Sequence, residues 1–170
     1  MTRAPHAANP NQPWTTTGRR ALLAVVFVAG CGSPARDDPG LPIELAGSLQ
    51  HPCWSPDGAE LAITAFAGGY DLGRAELAVV PAAGGAARVL MDPANNVAGP
   101  GCWNATTNAL VFVSDAAGNG EVWWMRPDGT GRRRVTNRPG QVAAAPALAP
   151  DGRTIVFESH RQDDPGSGTI

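Results

Sequence analysis

Histidine and serine side chains are the first candidates for chemistry in this 170-residue chain. His51 and His160 have no cysteine or histidine partners at the spacing of a metal site. The stretch Gly166-Ser167-Gly168 is shorter than the Gly-x-Ser-x-Gly turn that presents the nucleophile of serine hydrolases. We therefore predict that the chain has no catalytic residues, binds no metal and no cofactor, and is not an enzyme.

Two cysteines, Cys53 and Cys102, are candidates for a disulfide bond. They occupy equivalent positions of an internal repeat, each directly before a tryptophan. An oxidising compartment would favour the bond. However, the Cα atoms of a disulfide must lie within about 7 Å of each other, and neighbouring repeats can hold them further apart. The sequence leaves both a disulfide and two buried thiols open.

Charged side chains complete the set of candidates. Asp71, Asp115 and Asp163 lie in predicted loops, where carboxylates either bind calcium or are solvated, and we expect solvation. All 13 basic residues are arginine and the net charge is −2, so no basic face predicts nucleic-acid binding. The one basic cluster, residues 132–134, could bind phosphate or an acidic lipid, but we expect it only to lie on an exposed outer strand and the turn before it.

Cys31 is a candidate site of lipid attachment. The basic residues Arg19 and Arg20 precede an apolar run over residues 21–29. That run is too short to span a bilayer, which needs roughly 20 residues, but it has the parts of a secretory signal peptide. The end of the run, Val28-Ala29-Gly30-Cys31, resembles a bacterial lipobox. The resemblance implies that residues 1–30 are removed and that Cys31 carries the lipid.

An internal repeat supplies the elements that must position these side chains. Trp54, Trp103 and Leu148 are equivalent, and they are separated by 49 and 45 residues. This spacing is typical of a β-propeller in which each repeat is one four-stranded blade. The three similar stretches are residues 52–63, 101–112 and 146–157.

The first and third repeats share a turn signature. In each turn a proline fixes the backbone φ angle, an aspartate bonds to nearby amides, and a glycine accepts the left-handed conformation that ends the turn. These residues are Pro56, Asp57 and Gly58 in the first repeat, and Pro150, Asp151 and Gly152 in the third. We therefore assign them, with the packed aromatics Trp54 and Trp103, a structural role.

Together these signals predict an all-β chain of four-stranded antiparallel blades, with about two and a half blades present. The blades cover about residues 50–98, 99–143 and, incomplete, 144–170. We predict a tether over residues 31–49 that includes a candidate outer strand of a closing blade. The third blade is predicted to have a loop over residues 161–168 and a third strand that opens at Ile170. A fragment, a truncated reading frame and a subunit that closes its ring by assembly all fit this pattern.

The chain resembles the TolB-like or WD40-like (PD40) β-propeller repeats in several motifs, which occur in the order and at the spacing of that family. The resemblance covers residues 50–170 and departs from the family pattern at residues 104–108 and at Leu148. It implies a partial propeller whose loops bind another molecule. The motifs are residues 54–58, 112–115, 124–125, 128–129 and 135–136.

The resemblance implies a non-catalytic lipoprotein of the bacterial envelope that binds an envelope protein or a small ligand. We expect the lipid at Cys31 to hold the chain on the periplasmic face, and Gly32 favours the outer membrane because it is not an acidic retention signal. One alternative is the substrate-gating propeller of a prolyl-oligopeptidase-like serine peptidase whose catalytic domain is absent from this chain. Another is a degenerate gene remnant without function.

Overall fold

A computed structural model describes residues 21–23, 41–70, 72–91, 97–99 and 103–170. These parts of the chain contain fifteen strands and no helix, so the predicted all-β class is confirmed. The strands are β1 (Ala21–Leu23), β2 (Leu41–Glu44), β3 (Ser48–Trp54), β4 (Glu60–Phe66), β5 (Ala75–Pro81), β6 (Gly85–Ala86), β7 (Arg88–Val89), β8 (Val97–Ala98), β9 (Trp103–Asn104), β10 (Ala109–Ser114), β11 (Glu121–Met125), β12 (Arg133–Arg134), β13 (Gln141–Leu148), β14 (Ile155–Arg161) and β15 (Asp164–Thr169).

The first blade is a four-stranded sheet in the order β3-β4-β5-β7, with antiparallel neighbours. The apolar, β-branched run after the Pro-Asp-Gly turn forms β4, in which every residue after Glu60 is buried. Such a strand suits the middle of a stack because both of its faces are covered. The inner strand β3 has a bulge between Gln50 and Cys53.

The second blade repeats this arrangement in the order β12-β11-β10-β8, with β9 also paired to β10. β11 is the third strand of this blade, and the outer strand β12 contains two arginines of the basic cluster that the sequence places on an exposed outer strand. Beyond β12 the pairing continues as a hydrogen bond of 2.8 Å from the Val135 amide to the Val122 carbonyl. Every residue of β10 is buried, as expected for a strand between two blades.

The third blade has three strands, β13, β14 and β15, and corrects one prediction. Residues 161–168 do not form a loop, and the third strand does not begin at Ile170. Instead β15 begins at Asp164, directly after a tight turn, and pairs with β14. Proline and glycine are rare in strands, which is why the sequence indicated a loop. The unpaired edge of β14 supplies the hydrogen bonds that hold this segment extended.

The segment before the first blade adds a small sheet in the order β1-β2-β6. β2 runs parallel to β6, a two-residue strand between β5 and β7, and Ile43 is buried against the first blade. Ser48 and Leu49, at the end of the predicted tether, belong to the inner strand β3. The proposed outer strand of a closing blade therefore lies against the first blade in this structure. Cys31 is outside the described residues.

The hydrophobic core lies between stacked sheets. The largest cluster joins the first and second blades through Leu77 and Val79 on one side and Leu110, Phe112 and Met125 on the other. A smaller cluster joins the second and third blades through Val113, Val122 and Ala143, with Ile155 and Phe157 packed against it. Alternation along each strand sends successive side chains to opposite neighbours, which is how one blade contributes to two interfaces.

Candidate binding cleft at the motif turns

The first motif turn, residues 55–58, is closed by its own side chains. The Gly58 amide donates to the Ser55 carbonyl at 2.9 Å, and Gly58 has a φ of +72°. Asp57 Oδ1 accepts hydrogen bonds from the Ser55 hydroxyl at 2.6 Å and from the Ala59 amide at 3.1 Å. These two bonds lower the pKa of the Asp57 carboxyl. The carboxylate is therefore ionised at neutral pH.

The third-blade turn has the same backbone geometry. The Gly152 amide donates to the Ala149 carbonyl at 2.8 Å, and the Arg153 amide donates to Asp151 Oδ1 at 2.9 Å. Gly152 has a φ of +69°. The residues singled out by the sequence in both repeats thus lie at the end of a hairpin, where β3 turns into β4 and β13 into β14.

The second blade forms its turn with different residues. Asn104 Oδ1 accepts from the Thr107 amide at 2.9 Å, which replaces the bonds made by serine and aspartate in the first blade. Asn108 takes the left-handed conformation, with a φ of +46°. Asparagine is one of the few residues other than glycine that adopts it readily. The departure from the family motif at residues 104–108 therefore preserves the hairpin.

The turns of adjacent blades are bonded to one another. Asn104 Nδ2 donates to the Ala149 carbonyl at 2.8 Å, and the Thr106 hydroxyl donates to the Pro150 carbonyl at 2.7 Å. Between the first two blades, the Trp103 amide donates to Cys53 Sγ at 2.9 Å. The three motif turns consequently form a continuous row along one end of the stack. The sequence does not show this, because each bond links residues more than forty positions apart.

An open cleft of about 400 Å³ lies in this row, between the first and second blades. Arg88 forms part of its wall: its Nη1 donates to the Pro127 carbonyl at 2.6 Å, and its Nη2 lies 3.4 Å from Glu60 Oε1. The cleft is lined by Ser55, Pro56, Asp57, Glu60, Arg88, Trp103, Ala105, Asn108, Pro127 and Asp128.

The cleft combines negative charge with an indole wall. The Thr130 amide and hydroxyl donate to Asp128 Oδ1 at 2.8 and 2.7 Å and lower the pKa of that carboxyl. Asp57 and Asp128 are thus both anionic at neutral pH. Arg88 forms a salt bridge with Glu60, and its charge also lowers the pKa of Asp128. Trp103 is held by a hydrogen bond of 2.8 Å from its Nε1 to Asn108 Oδ1. Such a site can accept a cationic group that contacts carboxylates and an aromatic face together.

A second polar network lies at the opposite end of the second blade. The Glu121 carboxylate is buried and accepts hydrogen bonds from the Thr136 hydroxyl, from the Arg138 amide at 2.7 Å and from Asn119 Nδ2 at 3.3 Å. Burial raises the pKa of Glu121, but these bonds and the charge of Arg134 outweigh it, and the pKa lies below its usual range. Asn119 also donates to the Gln141 carbonyl at 2.7 Å, which ties the second blade to the third.

The remaining candidates from the sequence do not come together. Cys53 is buried, and Cys102 lies outside the described residues, so the disulfide and the two buried thiols both stay open as alternatives. His51 and His160 are in different blades. Asp163 pairs with Arg161 at 3.2 Å, whereas Asp71 is outside the described residues. Within the described ranges no group of three or more His, Cys, Asp and Glu side chains is placed to hold a metal ion. Among the same residues, no helix has the length and apolarity of a membrane span.

Comparisons with known proteins point to one kind of propeller. A TolB homologue of Chlorobium luteolum is 31% identical over 114 residues, which are 67% of this chain and 24% of that protein. The Tol-Pal system protein TolB of Nitratidesulfovibrio vulgaris is 42% identical over 57 residues, 33% of this chain and 12% of that protein. TolB from Acinetobacter baumannii has a TM-score of 0.52 at 22% identity, over 72% of this chain and 29% of that one.

This chain has a TolB-like β-propeller fold. No family model matches it, and it spans between 12% and 24% of the length of the curated relatives named above. A puromycin-hydrolysing peptidase of Mycobacterium tuberculosis shares the fold, with a TM-score of 0.53 at 16% identity over 74% of this chain and 21% of that one. The TolB-like fold thus covers a part of larger proteins of different kinds, and the function must come from the site.

Proposed function

We propose that the chain is a non-catalytic binding module of the bacterial envelope whose cleft between the first two blades binds a basic side chain of a partner protein. The observation that carries the proposal is the pairing of two ionised carboxylates, Asp57 and Asp128, with the fixed indole of Trp103. An arginine or lysine of the partner would place its charge between the carboxylates and its alkyl chain on the indole. The cleft is open, so a protein loop can reach it.

The envelope location is supported by the names of the relatives. Both proteins compared over the sequence are called TolB, and one belongs to a Tol-Pal system. A periplasmic or envelope location for this chain is consistent with the lipobox-like residues 28–31. We propose that residues 1–30 are removed, that Cys31 is acylated, and that the lipid holds the chain on the periplasmic face, with the outer membrane favoured.

Lipid attachment can be tested directly. Cells that express the chain are grown with radiolabelled palmitate, and the chain is recovered and compared with the Cys31→Ser variant. We expect label in the natural chain and none in the variant, with the variant also retaining residues 1–30. Equal labelling of the two would show that the lipid is not on Cys31.

The cleft is tested with a photo-crosslinking amino acid at Ala105, an exposed lining residue. A matched control carries the same amino acid at Ala116, an exposed loop residue of the same blade outside the cleft lining. In intact cells we expect a discrete crosslinked partner from position 105 and not from position 116. The Asp128→Asn variant should weaken that crosslink, because it removes a charge and keeps the side-chain shape. The proposal would be contradicted if Asp128→Asn left the crosslink from position 105 unchanged, or if a crosslink arose only from position 116.

The peptidase alternative is favoured by one observation, the fold shared with the puromycin-hydrolysing peptidase. In that case the cleft would border a substrate entrance in a longer protein. Translation of the gene beyond the codon for Ile170 separates the two proposals. A Gly-x-Ser-x-Gly turn between a strand and a helix would favour the peptidase, whereas further Trp-Ser-Pro-Asp-Gly repeats would favour the binding module.

A further inference from the structure

Four exposed arginines lie on the outer rim of the second blade. Arg133 is paired with Trp124 and shares its face of the sheet, whereas Arg134 is paired with Trp123 and points to the opposite face. Arg133 and Arg134 form the edge strand β12, Arg132 precedes it, and Arg126 follows the neighbouring strand β11. We call these four residues the arginine rim. In the part of the chain that the structure describes, β12 pairs with β11 alone, so the rim stands at the edge of the sheet. The sequence indicated three of them as an exposed strand and turn, and the structure adds Arg126 from a different strand.

Trp124 organises part of the arginine rim. The guanidinium carbon of Arg133 lies 4.9 Å from the centre of the Trp124 ring, within the range of a cation–π contact. Arg126 lies near the Trp124 ring as well. Both side chains border Gly131: a Cβ atom added there would lie 3.1 Å from Arg126 Nη1 and 3.3 Å from Trp124 Cζ3. Charged residues on an edge strand also discourage pairing with other sheets, but that role requires neither the indole nor a contribution from a second strand.

Among the described residues, no ion pair neutralises the positive charge of the rim. Within the described residues the salt bridges join Arg88 to Glu60 and Arg161 to Asp163, and neither involves a rim arginine. Arg134 acts on the buried Glu121 and Arg126 acts on Asp128 through space, without contact. Arg132 Nη1 donates to Met91 Sδ at 3.2 Å, and its other guanidinium donors have no partner among the described residues. One guanidinium group can donate two parallel hydrogen bonds to the oxygens of a phosphate. The rim therefore fits a phosphate-bearing surface.

We propose that the arginine rim binds the headgroups of anionic phospholipids. The inference rests on the proposed lipid anchor in one respect: from Cys31 to Leu41 the chain can extend at most about 35 Å, which would keep the propeller near a membrane. Arginines at a sheet edge suit an extended anionic surface, and none of the four lines the cleft at the motif turns. Each basic residue near an anionic membrane strengthens binding about fivefold.

The test is co-sedimentation of the purified full chain with vesicles. The chain carries Cys31→Ser, so no acyl group contributes and the result is independent of whether Cys31 is lipidated in cells. Vesicles of pure phosphatidylcholine are compared with vesicles that also contain phosphatidylglycerol. The apolar run at residues 21–29 is present in every sample and serves as a constant background. We expect stronger binding to the anionic vesicles, and we expect 0.5 M salt to remove the difference by screening, as is expected for exposed charges.

Matched variants locate the binding surface. Arg126→Gln with Arg133→Gln should lower binding to the anionic vesicles about 25-fold, from about fivefold per residue. Arg153→Gln with Arg161→Gln makes the same charge change on the third blade and should change binding less than twofold. Unfolding curves show whether both double variants are folded. If a double variant does not fold, its two single substitutions are measured instead.

Several results would overturn the proposal. These are equal binding to both kinds of vesicle, equal losses in the two double variants, or complete competition by millimolar inorganic phosphate, which would indicate a free-anion site. Equally tight binding to soluble polyglutamate would also overturn it, because the surface would then recognise polyanions in general and not a lipid surface.

Discussion

Asn108 illustrates how one residue can preserve a turn without the family motif. It combines a left-handed backbone with a side chain that accepts a hydrogen bond from Trp103 Nε1 at 2.8 Å. The sequence did not indicate this residue, because the stretch from Asn104 to Asn108 contains neither the proline nor the glycine of the other turns. The signal available was asparagine itself, which tolerates the left-handed region.

We predict that Asn108→Ala lowers the free energy of unfolding by about 2 kcal/mol, from about 1 kcal/mol of backbone strain and about 1 kcal/mol of lost hydrogen bonding. Asn108→Gly loses the same hydrogen bond but relieves the strain, so it should cost about 1 kcal/mol or less. Urea unfolding of the two variants measures the difference. If alanine and glycine cost the same, backbone strain at position 108 is not important.

Glu121 makes a pH-dependent contribution to stability. Its pKa is depressed in the folded protein by the bonds from Thr136, Arg138 and Asn119, despite the opposing effect of burial. The contribution is therefore present above the pKa of the unfolded chain, about 4.3 for glutamate, and is lost as the pH falls through the lower folded value. We predict that Glu121→Gln is less stable than the natural chain at pH 7 and that the gap narrows below about pH 4. Chemical unfolding between pH 3 and 7 measures this, and a gap that widens in acid would show that the pKa is raised.

At the scale of elements, the stacked turns make two similar glycines behave differently. Gly58 and Gly152 both have a positive φ, of +72° and +69°. A Cβ atom at Gly58 would meet nothing within 4 Å, whereas one at Gly152 would overlap Thr107 Cγ2 of the adjacent blade. The cost of a side chain at these positions therefore separates local backbone strain from contact between blades.

We predict that Gly58→Ala lowers the free energy of unfolding by about 1 kcal/mol and that Gly152→Ala lowers it by at least about 2 kcal/mol, because overpacking adds to the strain. Adding Thr107→Ala to Gly152→Ala should recover part of the loss, while adding it to Gly58→Ala should not. Thermal and urea unfolding measure the four variants. Equal costs at the two glycines would contradict the inter-blade contact.

Two equivalent phenylalanines also differ in how deeply the blade interfaces bury them. Phe112 is fully buried between the first and second blades, whereas its equivalent in the third blade, Phe157, is only partly buried. We predict that Phe112→Ala lowers the free energy of unfolding by about 3–5 kcal/mol and that Phe157→Ala lowers it by less than half as much. Phe112→Leu is the milder variant to use if alanine prevents folding. A larger effect at Phe157 would contradict the order of the stack.

Strands and turns could be predicted from the sequence where local chemistry specifies them. The turn at Pro56-Asp57-Gly58 is predicted in this way, because its residues specify the backbone conformation themselves. The pairing of Asp164–Thr169 with β14 could not be, because proline and glycine disfavour a strand and only the neighbouring edge supplies its hydrogen bonds. The cleft could not be predicted from the sequence either, because Asp57 and Asp128 belong to different blades and only the stacking of the blades brings them to one cavity.

At the scale of the whole molecule, the stack has two different sides. Ile43 covers the outer face of the first blade, where it is 1% exposed. On the far face of the third blade Val156 is 54% exposed, although the equivalent Val111 of the second blade is fully buried. The cleft and the arginine rim both lie in the part of the stack whose sheets are covered. Binding at these two sites therefore depends on well-packed blades and not on the open side.

We propose that the cleft binds a partner through its negative charge, and the affinity of the crosslinked partner for purified variants tests this proposal. Asp128→Asn removes a charge from the cleft, and Asp163→Asn removes the same charge from the third blade. We predict that Asp128→Asn weakens binding about threefold at low salt, the size expected for an exposed charge pair, and that Asp163→Asn leaves it unchanged. The difference should shrink in 0.5 M salt. Equal affinities for Asp128→Asn and the natural chain at low salt would contradict the claim.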